Sequence, residues 1–198
     1  MNMHDKWIVG VDEVGRGPLA GPVTVGVFAL PLGFKGDELV GIRDSKKLSE
    51  KKREEWCTVL TAIEPARYCV SSVSPQDIDS NGIQSSIRLA LKKALKGLDI
   101  PSQSCEVFLD GGLVAPSEYL AQKSIVKGDD SVPVISAAAI IAKVTRDKVM
   151  VAYDTQYPEY GFGAHKGYGT KVHREAIAEH GFTPIHRQSF CKNIVIRK

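Results

Sequence analysis

The chain is short of cysteine and lacks any long apolar run. Its four cysteines, Cys57, Cys69, Cys105 and Cys191, contain no C-x-x-C pair among 198 residues. This argues against a zinc site and suits reduced thiols serving as small core side chains. No hydrophobic stretch approaches the ~20 residues needed to span a bilayer, and the opening MNMHDKW has no signal-peptide core. A cytoplasmic location with no membrane partner is therefore expected. There is no internal repeat and no low-complexity segment. Net charge is also small, +3, so bulk electrostatics do not advertise a polyanion partner. The imbalance is local: from Lys143 to Lys198 ten Lys/Arg face five Asp/Glu, and four of the five histidines, His165, His173, His180 and His186, lie there.

What is present suits a globular protein. Hydrophobic residues make up 43% and charged residues 25%, enough to bury a core without staples. Trp7–Val11 and Val23–Leu30 are apolar and rich in β-branched residues, as buried strands are. Ser49 can cap a helix running to about Ile63, with Trp56, Val59, Leu60 and Ile63 on one face. Tyr68–Val73 reads as a strand. Ser74-Pro75-Gln76-Asp77 starts a short helix, and after Gly82 the spacing of Ile83, Ile87, Leu91, Ala94, Leu95 and Leu98 predicts a longer amphipathic one. Val107–Leu109 and Ser124–Val126 are short strands. Val134–Tyr153 is a long helix, whose Ser136-Ala137-Ala138-Ala139 start lets another backbone approach closely. A helix near Lys171–His180 follows the glycine-rich Gly161–Gly169. This order fits an α/β protein with a central mixed sheet flanked by helices. One domain over residues 1–198 is expected, with a C-terminal helical extension from about 155 packed beside the sheet.

Acidic residues stand where such a core tolerates them least. Asp12 follows the apolar run I-V-G-V, and Asp110 follows V-F-L. A carboxylate at the edge of a low-dielectric core needs a partner, and a divalent cation held by carboxylates is a strong one. Glu13 could share a site with Asp12 only if the strand ends or bulges between them, because neighbours on a regular strand point to opposite faces. Asp129 and Asp130, just before the long helix, are further candidates that residue spacing does not separate; either could instead complement the helix dipole.

Gly15-Arg16-Gly17-Pro18-Leu19-Ala20-Gly21 superficially resembles a dinucleotide fingerprint, but a strand rather than a helix follows, which removes the phosphate-binding helix terminus. A tight Gly-Arg-Gly turn beside acids suits another use. Bare backbone can donate to and accept from a ribose 2′-hydroxyl, the group that separates RNA from DNA, and the arginine can grip a phosphate.

These residues carry a resemblance to a known family. Asp12-Glu13-Val14-Gly15-Arg16-Gly17 resembles the D-E-x-G-R-G opening of the bacterial type 2 ribonucleases H, the ribonuclease HII family. Asp44-Ser45-Lys46-Lys47-Leu48, Asp110-Gly111, Lys127-Gly128-Asp129, Ser136–Asp147, His165-Lys166-Gly167-Tyr168-Gly169-Thr170 and His186-Arg187-Gln188-Ser189-Phe190 match further family motifs, in order and over nearly the whole chain. Val14 stands where Ala is common, and Asp130 and Ser131 occupy variable positions; neither departure removes a functional group. The resemblance implies a ribonuclease H-like fold and an endonuclease acting on RNA–DNA hybrids and on DNA duplexes with embedded ribonucleotides. It implies Asp12, Glu13, Asp110 and Asp129 as catalytic ligands for two Mg²⁺ or Mn²⁺ ions. It assigns Gly15, Arg16 and Gly17 to the 2′-hydroxyl and neighbouring phosphate, Tyr168 to the sugar of the following deoxynucleotide, and Lys46 and Lys47 to the phosphate backbone. With eleven residues before Asp12, the extra N-terminal domain of ribonuclease HIII is not expected, and a monomer is. The rival readings are another carboxylate nuclease on this fold, resolvase- or integrase-like, and a non-catalytic hybrid-binding module.

Overall fold

The structure, a computed structural model, describes residues 6–35, 39–42 and 48–197. Its elements run β1 (Trp7–Val14), β2 (Val23–Pro31), α1 (Glu50–Ala62), β3 (Arg67–Val73), α2 (Pro75–Asn81), α3 (Ile83–Gly97), β4 (Cys105–Asp110), β5 (Ala121–Ile125), α4 (Gly128–Ser131), α5 (Pro133–Gln156), α6 (Phe162–His165) and α7 (Lys171–His180). Ser49 caps α1 by accepting from the Lys52 N–H. Ser74 caps α2 by accepting from the Asp77 N–H, while its hydroxyl donates to the Asp77 carboxylate. The expected order of elements is therefore observed.

The five strands form one mixed sheet in the order β3-β2-β1-β4-β5. The first three are antiparallel, and β1–β4 and β4–β5 are parallel. Strand alternation sorts the side chains onto two faces. Val9, Val11, Val25, Val27, Val107 and Leu109 pack with Ile87, Leu91 and Leu95 of α3. On the other face Phe28 and Leu30 meet α5 through Ala137, Ala138, Ile140 and Ile141, with Leu60 of α1 alongside.

Two glycines allow α5 to lie close on the sheet. A Cβ on Gly10 would stand 2.1 Å from the Val134 backbone, and one on Gly26 would stand 2.5 Å from the Ala138 carbonyl. The small-residue start of α5 meets Gly26 at Ala138, as its composition predicted, while Gly10 lies against the backbone of Val134 and Ile135.

The segment after α5 packs chiefly against α5 and the glycine loop. Leu19, Ala20, Met150, Tyr160, Phe162, Ala176, Ile177 and Ile185 form a third apolar cluster, and Ala20 bridges to His186. Among the described residues, no helix is long and apolar enough to cross a membrane.

Candidate active site

Even-numbered residues of β1 and β4 face α5, so Asp12 and Asp110 fall on the same side. The two strands are parallel neighbours with Val11 opposite Leu109, which brings the next residues, Asp12 and Asp110, together at one end of the sheet. Asp129 reaches the same point from α4, where the Ser136 hydroxyl donates to its carbonyl at 2.6 Å. One carboxylate oxygen from each of the three lies within 4.8 Å of the others. The Gly128 N–H donates to Asp110 Oδ1 at 2.7 Å, and the Glu13 N–H donates to Asp12 Oδ1 at 2.7 Å. A donor set of three carboxylates suits a hard divalent cation.

Burial comes first in holding the Asp12 carboxyl well above the usual carboxylate range; the charges of Glu13, Asp110 and Asp129 add to it, against the Glu13 N–H bond. Asp12 is only 6% exposed. A bound cation would reverse both causes at once.

Glu13 departs from the expected arrangement. No break separates it from Asp12: β1 continues to Val14, with Glu13 still paired opposite Val25. It lies outside the group of three, though its charge acts strongly on Asp12. Its carboxylate is 3.6 Å from the Arg16 guanidinium. Burial raises its pKa, Arg16 opposes this, and the charge of Asp110 raises it further, so it remains within electrostatic reach of the cluster. Asp129 and Asp130 also correct the reading of a loop before the long helix. Both lie inside α4, with Asp129 buried and Asp130 exposed, which separates two acids that spacing alone could not.

The glycine turn leaves β1 at Gly15, whose φ of +86° suits glycine. A Cβ there would stand 2.3 Å from Arg146 Nε, whereas one on Gly17 would meet nothing within 4 Å. Arg146 and Arg187 are both 0% exposed and spend their donors on backbone carbonyls. Arg146 donates to Pro22 (2.9 Å), Ala20 (3.2 Å) and Lys166 (3.0 Å). Arg187 donates to Gly21 (2.9 Å), Arg16 (3.1 Å) and Gly15 (2.7 Å). Sequence reasoning assigned neither of them a role. A signal existed for Arg146: it lies in the helical stripe Ala142-Arg146-Met150, a charge among otherwise buried apolar positions. Arg187 stood within the family motif His186-Arg187-Gln188-Ser189-Phe190, but its local sequence gave no hint of what it binds.

Tyr168 is tied to this turn through its neighbour. The N–H groups of Leu19 and Ala20 both donate to the Gly167 carbonyl, at 2.9 and 3.3 Å. Tyr168 stays 45% exposed. Its carbonyl accepts from His173 Nδ1 at 2.9 Å, and His173 Nε2 is 3.1 Å from His186 Nε2. His186 Nδ1 accepts from the Thr183 N–H at 2.9 Å. One neutral tautomer satisfies the whole chain: His186 donates from Nε2 to His173, which donates from Nδ1 to Tyr168. Burial, the largest cause, lowers both imidazoles to about 4; adjacent His165 and Arg174 lower His173 further, and His173 and His165 do the same for His186. His165 spends its two nitrogens on the Tyr160 carbonyl and the Gly167 N–H. These histidines are held by hydrogen bonds within the protein, with His173 and His186 buried. Lys46 and Lys47 lie outside the described residues.

A mixed five-stranded sheet, helices on both faces and an aspartate cluster across its two central parallel strands define the ribonuclease H-like α/β fold. Residues 9–193 match the family model described as Ribonuclease HII. The chain is 47% identical over 196 residues to a Ribonuclease HII of Clostridioides difficile, covering 97% of this chain and 74% of that one. It is 48% identical over 193 residues to a Ribonuclease HII of Hydrogenovibrio crunogenus, covering 96% and 89%. The structure of the PCNA:RNase HII complex from Archaeoglobus fulgidus superposes with a TM-score of 0.76 at 27% identity, covering 96% of this chain and 97% of that one. The ribonuclease H2 of Pyrococcus horikoshii gives 0.70, also at 27% identity, covering 95% and 96%. This chain belongs to the ribonuclease HII family. It is thus an endoribonuclease, a hydrolase, whose aspartate cluster could hold a metal ion.

Proposed function

We propose that this chain cuts the phosphodiester on the 5′ side of ribonucleotides, both within RNA–DNA hybrids and where single ribonucleotides are embedded in duplex DNA, leaving 3′-hydroxyl and 5′-phosphate ends. The observation that carries this reading is the convergence of Asp12, Asp110 and Asp129 within 4.8 Å, with the ribose-reading turn continuing directly from the Asp12 strand.

The three aspartates and Glu13 are the candidate ligands for two divalent ions, Mg²⁺ or Mn²⁺. When bound, such a pair activates water for in-line attack and stabilises the departing 3′ oxygen. Asp12, on the central strand β1 and close to both other aspartates, would be the ligand common to both ions. For Glu13 to join them its contact with Arg16 would be exchanged, and freeing Arg16 would give the substrate phosphate a guanidinium. The backbone of Gly15, Arg16 and Gly17 reads the 2′-hydroxyl. Tyr168 packs its exposed ring on the sugar of the deoxynucleotide that follows, and Lys46 and Lys47 approach the phosphate backbone. The chain acts as one catalytic unit, a cytoplasmic monomer, whose helical part from about residue 155 supplies Tyr168.

The test is a duplex carrying one ribonucleotide, incubated with Mg²⁺ and with EDTA. A single cut 5′ to the ribonucleotide, with 5′-phosphate and 3′-hydroxyl ends and only with Mg²⁺, is expected. Cutting of the all-DNA duplex at a similar rate would contradict the specificity.

A further inference from the structure

Arg187 does more than fill space behind the turn. Its two terminal amino groups donate to the carbonyls of Gly15 and Arg16, at 2.7 and 3.1 Å, while its Nε holds Gly21. Both gripped peptides are trans, and in a planar trans peptide the C=O and the following N–H point in opposite directions. Drawing the Gly15 and Arg16 carbonyls inward therefore turns the N–H groups of Arg16 and Gly17 outward. Among the described residues neither N–H meets an acceptor, and the space beside Gly17 is open.

The charge beneath the turn favours the same ligand. Neither Arg146 nor Arg187 has a carboxylate within 4 Å among the described residues, so two buried positive charges stand behind two outward donors. That arrangement attracts an electron-rich oxygen. Lysine cannot replace the arginine, because its compact ammonium lacks the planar fork that spans two carbonyls.

We propose that Arg187 is the positioning residue for ribose discrimination: by holding the Gly15 and Arg16 carbonyls inward, it presents the N–H groups of Arg16 and Gly17 as a donor pair for a 2′-hydroxyl oxygen. The proposal rests on the reading of the turn given under the proposed function. It assigns Arg187 to the preference between substrates; bond cleavage belongs to the carboxylates.

The experiment compares binding, in EDTA, to a duplex with one ribonucleotide and to the same duplex in all-DNA form. Arg187→Lys and Arg187→Gln should lose about tenfold of the wild-type preference, the scale of releasing a pre-organised hydrogen-bond pair, while all-DNA affinity changes by no more than about twofold. Tyr160→Phe removes a bond to the Gly181 carbonyl away from the turn and should keep the preference at a comparable loss of melting temperature. If folded Arg187→Lys keeps the preference, the inference is overturned and the reading of the turn survives. If the wild type itself shows no preference, the reading of the turn falls and this inference with it. Should both Arg187 variants fail to fold, the wild type decides through its amide NMR signals. Downfield shifts of Arg16 and Gly17 only with the ribonucleotide duplex support the inference; equal shifts with both duplexes, or none, overturn it.

Discussion

At the end of β1 and β4 three carboxylates crowd within 4.8 Å, whereas beneath the Gly15–Pro22 turn two guanidiniums are buried among carbonyls. The first region gathers like charge, so the buried Asp12 among the other acids resists ionisation, and a cation would stabilise it. The second spreads its charge over fixed dipoles and needs no ligand to hold its shape. On the proposed reading, chemistry and recognition are built differently on adjacent elements: one region would be completed by ions, the other is set in advance by the fold.

The comparison breaks most sharply at Asp110. Asp110→Asn should slow cleavage by about three orders of magnitude, since cation stabilisation of the transition state is worth several kcal/mol and each ~1.4 kcal/mol is tenfold. Binding to the ribonucleotide duplex, measured by fluorescence anisotropy, should stay close to wild type. Normal turnover would remove Asp110 from the site.

On the turn side, two alanine substitutions separate folding from reading. Gly15→Ala forces a Cβ into Arg146 at a positive φ and should cost roughly 2–4 kcal/mol in urea denaturation. Gly17→Ala meets open space and should change stability by less than about 0.5 kcal/mol, yet reduce cleavage at a single ribonucleotide if the backbone approaches the ribose there. Equal stabilities for the two variants would contradict the packing described. Tyr168→Ala should slow cutting at single ribonucleotides by about tenfold, the scale of one stacking contact; unchanged single-turnover rates would remove the tyrosine from the substrate.

The smallest effect concerns pH. His173 and His186 titrate at about 4 against an ordinary 6.5, so the unfolded chain takes up protons that the native state refuses. Their contribution to stability is full above about 6.5 and is lost as pH falls towards about 4. Asp12 and Glu13, with raised values, act in the opposite sense, so imidazole NMR signals read the pair more cleanly than denaturation. Those signals should stay constant from pH 8 to about 5; a transition centred at 6.5 would show that the buried relay to Tyr168 is absent.

Much of this was legible in the chain. Apolar runs located β1, β2 and β4, capping residues located α1 and α2, and acids placed after apolar runs located Asp12 and Asp110. The face shared by Asp12 and Asp110 follows from strand alternation once β1 and β4 are neighbours, and that pairing is tertiary. The continuation of β1 through Glu13 to Val14 was hidden because Gly15 and Gly17 suggested an earlier break, whereas β2 pairs with the strand as far as Val14. Arg187 was hidden more deeply. Its partners lie more than 160 residues away, and no local pattern distinguishes an arginine serving buried carbonyls from one on the surface.

The most direct test of the carboxylate centre is anomalous diffraction from crystals soaked in Mn²⁺. The account predicts a peak among Asp12, Asp110 and Asp129 that Asp110→Asn weakens. No peak there, or ions bound only elsewhere on the surface, would contradict it.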